Sequence, residues 1–155
     1  MSLLPLFDLS LIARASRPAL ECETANGTRT EFTFGDLETR SNQLSHTLRA
    51  RGLQAGNRVA FFLQNRIEVI DLWIAGAKLG LIIVPINVLY RERELTHILR
   101  DAEPTAVVTS RDLAAFLPVD VTVWDVDALA TEAIAQATNR VSVPADAATP
   151  MALIY

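Results

Sequence analysis

The chain has 155 residues, 50% of them hydrophobic and 21% charged, with a mean hydropathy of +0.25. That is enough for one domain with its own core, and it excludes a disordered tail, a collagen or a low-complexity linker. Fourteen basic against 18 acidic residues give a net charge of −4, with no cationic surplus for phosphate backbones, so no nucleic-acid partner is expected. One cysteine, Cys22, and two histidines can supply neither an internal disulfide nor a structural zinc set, and they point to a reducing, cytoplasmic setting.

The apolar run from Leu3 to Ile12 carries no preceding basic residue and is interrupted by Asp8, unlike a secretory signal. It predicts a docking helix over residues 4–15, ended by Arg17-Pro18. Pro18 to Glu23 and Arg29 to Thr33 flank Asn26-Gly27, the signature of a β-hairpin. Thr33, three residues before Asp36, predicts the start of a helix from Phe34 to Arg51, with Leu37, Leu44 and Leu48 on its buried face and Gly52 as its stop. From Gly56 the pattern becomes strand, helix, strand, helix, and each strand is a continuous apolar run, which favours a parallel sheet covered on both faces.

In that part the predicted strands are Val59–Leu63, Leu81–Val84, Thr105–Thr109 and Val121–Trp124, and the predicted helices are Arg66–Leu79, Arg91–Asp101 and Asp125–Ala137. Ile67, Ile70, Trp73, Ile74 and Ala77 nearly encircle the first of these helices, so deep burial is expected there. The greasiest stretch, Val69 to Ile86, contains Asp71, Lys78, Gly80 and Pro85 and is therefore no transmembrane segment. Residues 138–150 are small, polar and proline-bearing, as in a surface linker. The linker leads to an apolar strand, Met151–Tyr155, and a chain stopping on an unprotected strand is read as truncated.

The residues offer no catalytic set. Gly52 and Gly56 close a helix-to-strand turn, the reverse order of a phosphate-cradling loop, and no Lys-Ser/Thr follows them. His46 and His97 lack an i, i+4 partner, and Cys22 lacks a basic neighbour. Arg91-Glu92-Arg93-Glu94 and Arg100-Asp101 read as a solvated helix face, and Asn87 as a loop-bonding residue. Lys78, the sole lysine, is expected to snorkel to solvent or to pair with helix carbonyls. No catalytic, cofactor-binding or metal-binding residue is assigned.

Several ordered blocks carry a resemblance. The run FTFGDLETRSNQLSHTLRARGL over residues 32–53, followed by GNRVA at 56–60, closely resembles the opening of the adenylate-forming enzymes: acyl-CoA synthetases, luciferases and peptide-synthetase adenylation domains. WIAGAKLGLIIVPIN at 73–87 and YRERELTHILRDAEP at 90–104 are similar to the family's next two blocks.

The resemblance implies an α/β fold, a layered and mostly parallel sheet flanked by helices with a small N-terminal hairpin, being the first portion of an acyl-CoA synthetase-like domain. Residues 1–155 would be its incomplete N-terminal part. For the parent it implies a ligase of fatty-acid type that uses ATP and Mg²⁺ to convert a carboxylic acid into an acyl-AMP and then into a CoA thioester. The family's phosphate loop, adenine and ribose segments and catalytic lysine would all follow Tyr155. The chain alone is therefore expected to bind none of these cofactors and to be inactive, a scaffold whose natural packing partner is the missing remainder. A luciferase-like or peptide-synthetase enzyme and a noncatalytic interaction module are the alternatives.

Overall fold

The structure, a computed structural model, describes residues 4–23, 26–143 and 150–155. Helix α1 (Leu4–Leu11) is shorter than the predicted docking helix, and residues 12–16 continue it as turns. Strands β1 (Pro18–Glu23) and β2 (Arg29–Thr33) pair antiparallel, as Asn26-Gly27 predicts, with Gly27 at φ +81° in the turn. Helix α2 (Phe34–Ala50) starts at the predicted capping box: the Asp36 amide donates to Thr33 Oγ1 at 3.1 Å, and the Thr33 amide donates to Asp36 Oδ2 at 2.8 Å. The Thr33 hydroxyl also donates to Asp36 Oδ2 at 2.7 Å, and this bond, together with that of the Thr33 amide, holds the Asp36 carboxyl below its ordinary value.

The rest builds the predicted parallel sheet. Strand β3 (Arg58–Phe62) leads through α3 (Ile67–Leu79) to β4 (Ile82–Pro85). Helix α4 (Glu92–Ala102) then crosses to β5 (Ala106–Thr109), and a one-turn helix, α5 (Arg111–Ala114), to β6 (Val123–Asp125) and α6 (Val126–Ile134). The strand order is β4-β3-β5-β6, all parallel. Residues on β3 alternate between two cores, which explains the unbroken apolar run. Val59 and Phe61 pack with Leu48, Leu72 and Leu129 on one face, while Ala60 and Phe62 pack with Leu95, Ile98 and Val107 on the other.

The structure corrects further expectations. The one-turn helix α5 was not predicted, because four residues are too few to show a period. The last helix ends at Ile134, not Ala137, and the last strand begins at Val123, not Val121. Helix α3 is less buried at its start than expected, with full burial beginning at Asp71: Ile67, Ile70 and Trp73 are half-buried, Ile67 and Ile70 lying beneath the hairpin and Trp73 against the ring of Phe61. Its apolar residues are shared between the sheet and a satellite core of Leu11, Leu37 and Ile74.

Of the predicted linker, residues 138–143 run beside α2 and α3: the Thr138 carbonyl accepts from Asn42, the Val143 amide donates to the Lys78 carbonyl, and Val141 is only 5% exposed. Residues 144–149 lie outside the described residues. In the terminal segment Ala152 forms a single parallel bridge to Ile83 on the free side of β4, with the Ile83 amide donating to the Met151 carbonyl at 2.9 Å and the Leu153 amide to the Ile83 carbonyl at 3.0 Å.

Candidate functional site

An open parallel sheet binds ligands beyond the carboxyl ends of its strands, where successive crossovers leave in opposite directions. Here α3 departs from β3 towards one edge, and α5 departs from β5 towards the other, so the crevice lies beyond β3 and β5. Thr109 at the end of β5 donates its hydroxyl to the Phe62 carbonyl at 2.7 Å, pinning the two strand ends together. Beyond β6, Asp125 caps α6 by accepting from the Ala128 amide at 2.9 Å, with the Arg111 guanidinium 3.8 Å from its other oxygen. Arg66, after β3, reaches both Glu68 and Asp127.

Beyond β4 the side chains serve their own loop. Asn87 Oδ1 accepts from the Leu89 amide at 3.0 Å, the loop bond expected of it. Arg91 donates to the Val88 and Tyr90 carbonyls and lies 4.5 Å from the Phe116 ring centroid. Among the described residues this edge brings together no nucleophile with a base, and no group of three His, Cys, Asp or Glu side chains that could hold a metal ion. What the edge offers is shaped backbone and fixed loops.

Gly52 and Gly56, at φ +90° and +84°, form the predicted turn, and the Gly56 amide donates to the Gly80 carbonyl at 2.8 Å. His46 contacts the Asn139 carbonyl at 3.0 Å, and the two histidines stay on separate helices. His97 is exposed on α4, its ring edge-on to Tyr155. The Tyr155 hydroxyl donates to Asp101, whose carboxylate pushes the phenol above its ordinary value. Cys22 lies half-buried in the hairpin, and Arg91 to Glu94 are exposed.

Lys78 departs from its expected role. It neither snorkels nor caps its own helix: its exposure is 0%, and its ammonium donates to Glu38 Oε2 at 2.8 Å, Ser41 Oγ at 2.8 Å and Asn42 Oδ1 at 2.6 Å, all on α2. Burial pulls its pKa below the ordinary lysine value, against the pull of Glu38. Arg140 joins the same cluster through Asp8 and, at 3.7 Å, Glu38. One residue patch thus ties α1, α2, α3 and the 138–143 segment together.

A second charged system also escaped the sequence reading. Asp71, 4% exposed on α3, receives Arg40 Nε at 3.0 Å and Nη2 at 2.6 Å on one oxygen. Burial nevertheless raises its pKa to about 6. The only trace of this pair in the sequence was an aspartate inside an otherwise apolar helix.

A parallel sheet covered on both faces and fronted by a ribbon defines an α/β scaffold of the kind found at the N-terminus of acyl-CoA synthetases. Residues 11–155 match the family described as AMP-binding enzyme, and the chain belongs to that family. It is 32% identical over 130 residues to crotonobetaine/carnitine--CoA ligase of Escherichia coli O127:H6, covering 84% of this chain and 24% of that protein. It is 35% identical over 81 residues to 3-oxocholest-4-en-26-oate--CoA ligase of Rhodococcus rhodochrous, covering 52% of this chain and 15% of that protein. The fold superposes on the Mycobacterium tuberculosis fatty acyl CoA synthetase with a TM-score of 0.82 at 25% identity, covering 100% of this chain and 33% of that one. The chain therefore corresponds to an N-terminal portion of its homologues, about a third or less of their length.

Proposed function

We propose that the protein to which this chain contributes its N-terminal portion is an ATP-dependent, AMP-forming acyl-CoA ligase. The observation that carries the reading is the family match over residues 11–155, together with relatives whose names are those of CoA ligases. In this reaction a carboxylate oxygen attacks the α-phosphorus of ATP and pyrophosphate leaves. The CoA thiol, losing its proton, then displaces AMP from the acyl carbon to give the thioester. Mg²⁺ offsets the charge of the triphosphate when it is bound. A cytoplasmic setting and an acid of fatty type belong to the same reading.

This chain's residues do not by themselves fit a triphosphate–metal site. Arg66 is spent on Glu68 and Asp127, Arg91 on loop carbonyls and a ring, and the described residues hold no three-carboxylate or histidine cluster. Its part is to fix the carboxyl ends of β3, β4 and β5 and to present the Met151–Tyr155 segment beside β4. The 155 residues alone are accordingly read as inactive. The test is ATP–pyrophosphate exchange by the full-length gene product with a panel of carboxylic acids, followed by product analysis with CoA and with a carrier protein. Carboxylate-dependent exchange and an acyl-CoA product are expected. No exchange with any acid, or acyl transfer only to the carrier protein, overturns the assignment.

A further inference from the structure

Helix α1 packs on α2 and α3 through Leu11, which is buried beside Leu37 and Ile74, with Phe7 against the same small core. The other side of this segment is open. Leu9 is 65% and Ile12 55% exposed, and residues 13–17, which carry Arg14 and Arg17, are exposed as well. Two large apolar side chains about one turn apart, left in water beside two cations, form the face that a helix lying in a membrane interface presents.

A pinned turn sets the two arginines. After α1 the chain folds back on the start of α2: the Arg17 amide donates to the Arg14 carbonyl at 2.8 Å, the Phe34 amide to the Arg17 carbonyl at 3.1 Å and the Gly35 amide to the Ala15 carbonyl at 2.8 Å. Gly35 permits that approach, since a Cβ there would stand 3.0 Å from the Ala15 oxygen. Arg14 and Arg17 border an open hollow that Ser16, Pro18 and Phe34 also line. Among the described residues neither guanidinium has a carboxylate partner, whereas Arg29, Arg40, Arg51, Arg66 and Arg140 all have one. The acids of this region are already engaged, Asp8 by Arg140 and Asp36 by the Thr33 hydroxyl and amide.

We propose that this surface, the Leu9–Ile12 face together with Arg14 and Arg17, docks the protein on an anionic lipid bilayer, the two apolar side chains entering the headgroup boundary and the guanidiniums donating to lipid phosphates. The chain carries a net charge of −4, so its approach to such a bilayer is confined to a face whose cations are free. A soluble acidic partner would use the arginines and leave Leu9 and Ile12 in water. A second copy meeting the patch about a two-fold axis would set arginine against arginine. The proposal stands apart from the ligase assignment, because it uses no residue of the crevice beyond the strand ends.

The experiment is co-sedimentation of the full-length gene product with vesicles of phosphatidylcholine alone and of phosphatidylcholine with one quarter phosphatidylglycerol. Binding to the anionic vesicles is expected, half-saturating on the order of 1 mM lipid and released as salt is raised to about 0.5 M. Arg14→Glu with Arg17→Glu should weaken it by about 25-fold or more, since each cation is worth about fivefold at an anionic surface. Leu9→Ser with Ile12→Ser should weaken it by roughly tenfold or more through the lost apolar contact. All four side chains are exposed, and an unchanged urea midpoint checks the fold; if the serine pair does not fold, the arginine pair carries the test alone. Equal binding to the two kinds of vesicle, binding to neither, anionic binding that survives either double substitution, or a stable dimer in light scattering that the serine pair dissolves, would each overturn the proposal.

Discussion

Lys78 sits with its charge removed from water and three α2 side chains arranged around it. A buried ammonium is tolerated only with such partners, and taking it away strands them in turn. Lys78→Ala should therefore lower stability by about 3–5 kcal/mol in urea unfolding. Lys78→Met combined with Glu38→Gln should be less damaging than Lys78→Met alone, because it removes the orphaned carboxylate as well. Asp71 gives a second residue-level prediction. Its folded-state pKa, about 6, lies above its ordinary 3.8, so the folded chain holds the proton more tightly than the unfolded one. The destabilising contribution is fully present above pH 6, and stability should rise as pH falls from about 6 towards 4. Urea titrations at pH 7 and pH 5 check the sign, and Asp71→Asn should flatten the difference.

At the scale of elements, local signals carried far. The Thr33–Asp36 box starts α2 where the sequence says it should, and Thr33→Ala should cost about 1 kcal/mol by thermal or urea unfolding. Helix α3 obeys a constraint from outside itself: a Cβ on Gly76 would stand 2.7 Å from Ile83 Cδ1, on the strand beneath. Helix propensity alone makes Gly76→Ala stabilising by about 1 kcal/mol, yet the clash should reverse the sign to a loss of about 1–3 kcal/mol. Adding Ile83→Val, which deletes that terminal methyl, should recover part of the loss. The shifted boundaries of β6 and the missed α5 have the same origin. Short elements are fixed by what they pair with, here β5 and the second core, and not by their own three or four residues.

For the whole molecule, the sheet is secured at its centre and open at one side. Strands β3 and β5 are paired on both sides, whereas the 151–153 segment is held to β4 by two backbone bonds around one bridge. Hydrogen exchange should show the slowest amides at Ala60, Phe62 and Val107 and faster exchange at Leu153; protection of Leu153 equal to that of Ala60 would show a more firmly built edge than two bonds supply. The family was legible in ordered blocks that span most of the chain, since those blocks encode turns, caps and core faces that the fold reuses. The ligand edge was less legible, because its side chains, Asn87, Thr109 and Arg91, are spent on backbone groups whose positions depend on strand order.

The sequence by itself determined the hairpin, the capped α2, the alternation of buried strands with helices and the parallel sheet, all set by residues within a few positions of one another. Tertiary structure alone decided the fate of the charges. Arg40 meets Asp71 across 31 positions and Lys78 meets Glu38 across 40, and a cleft between α2, α3 and α6 exists only once those helices lie side by side. Periodicity reports which face of an element is apolar. It carries no information about which buried charge will find which partner, because that depends on distances set after the layers have packed.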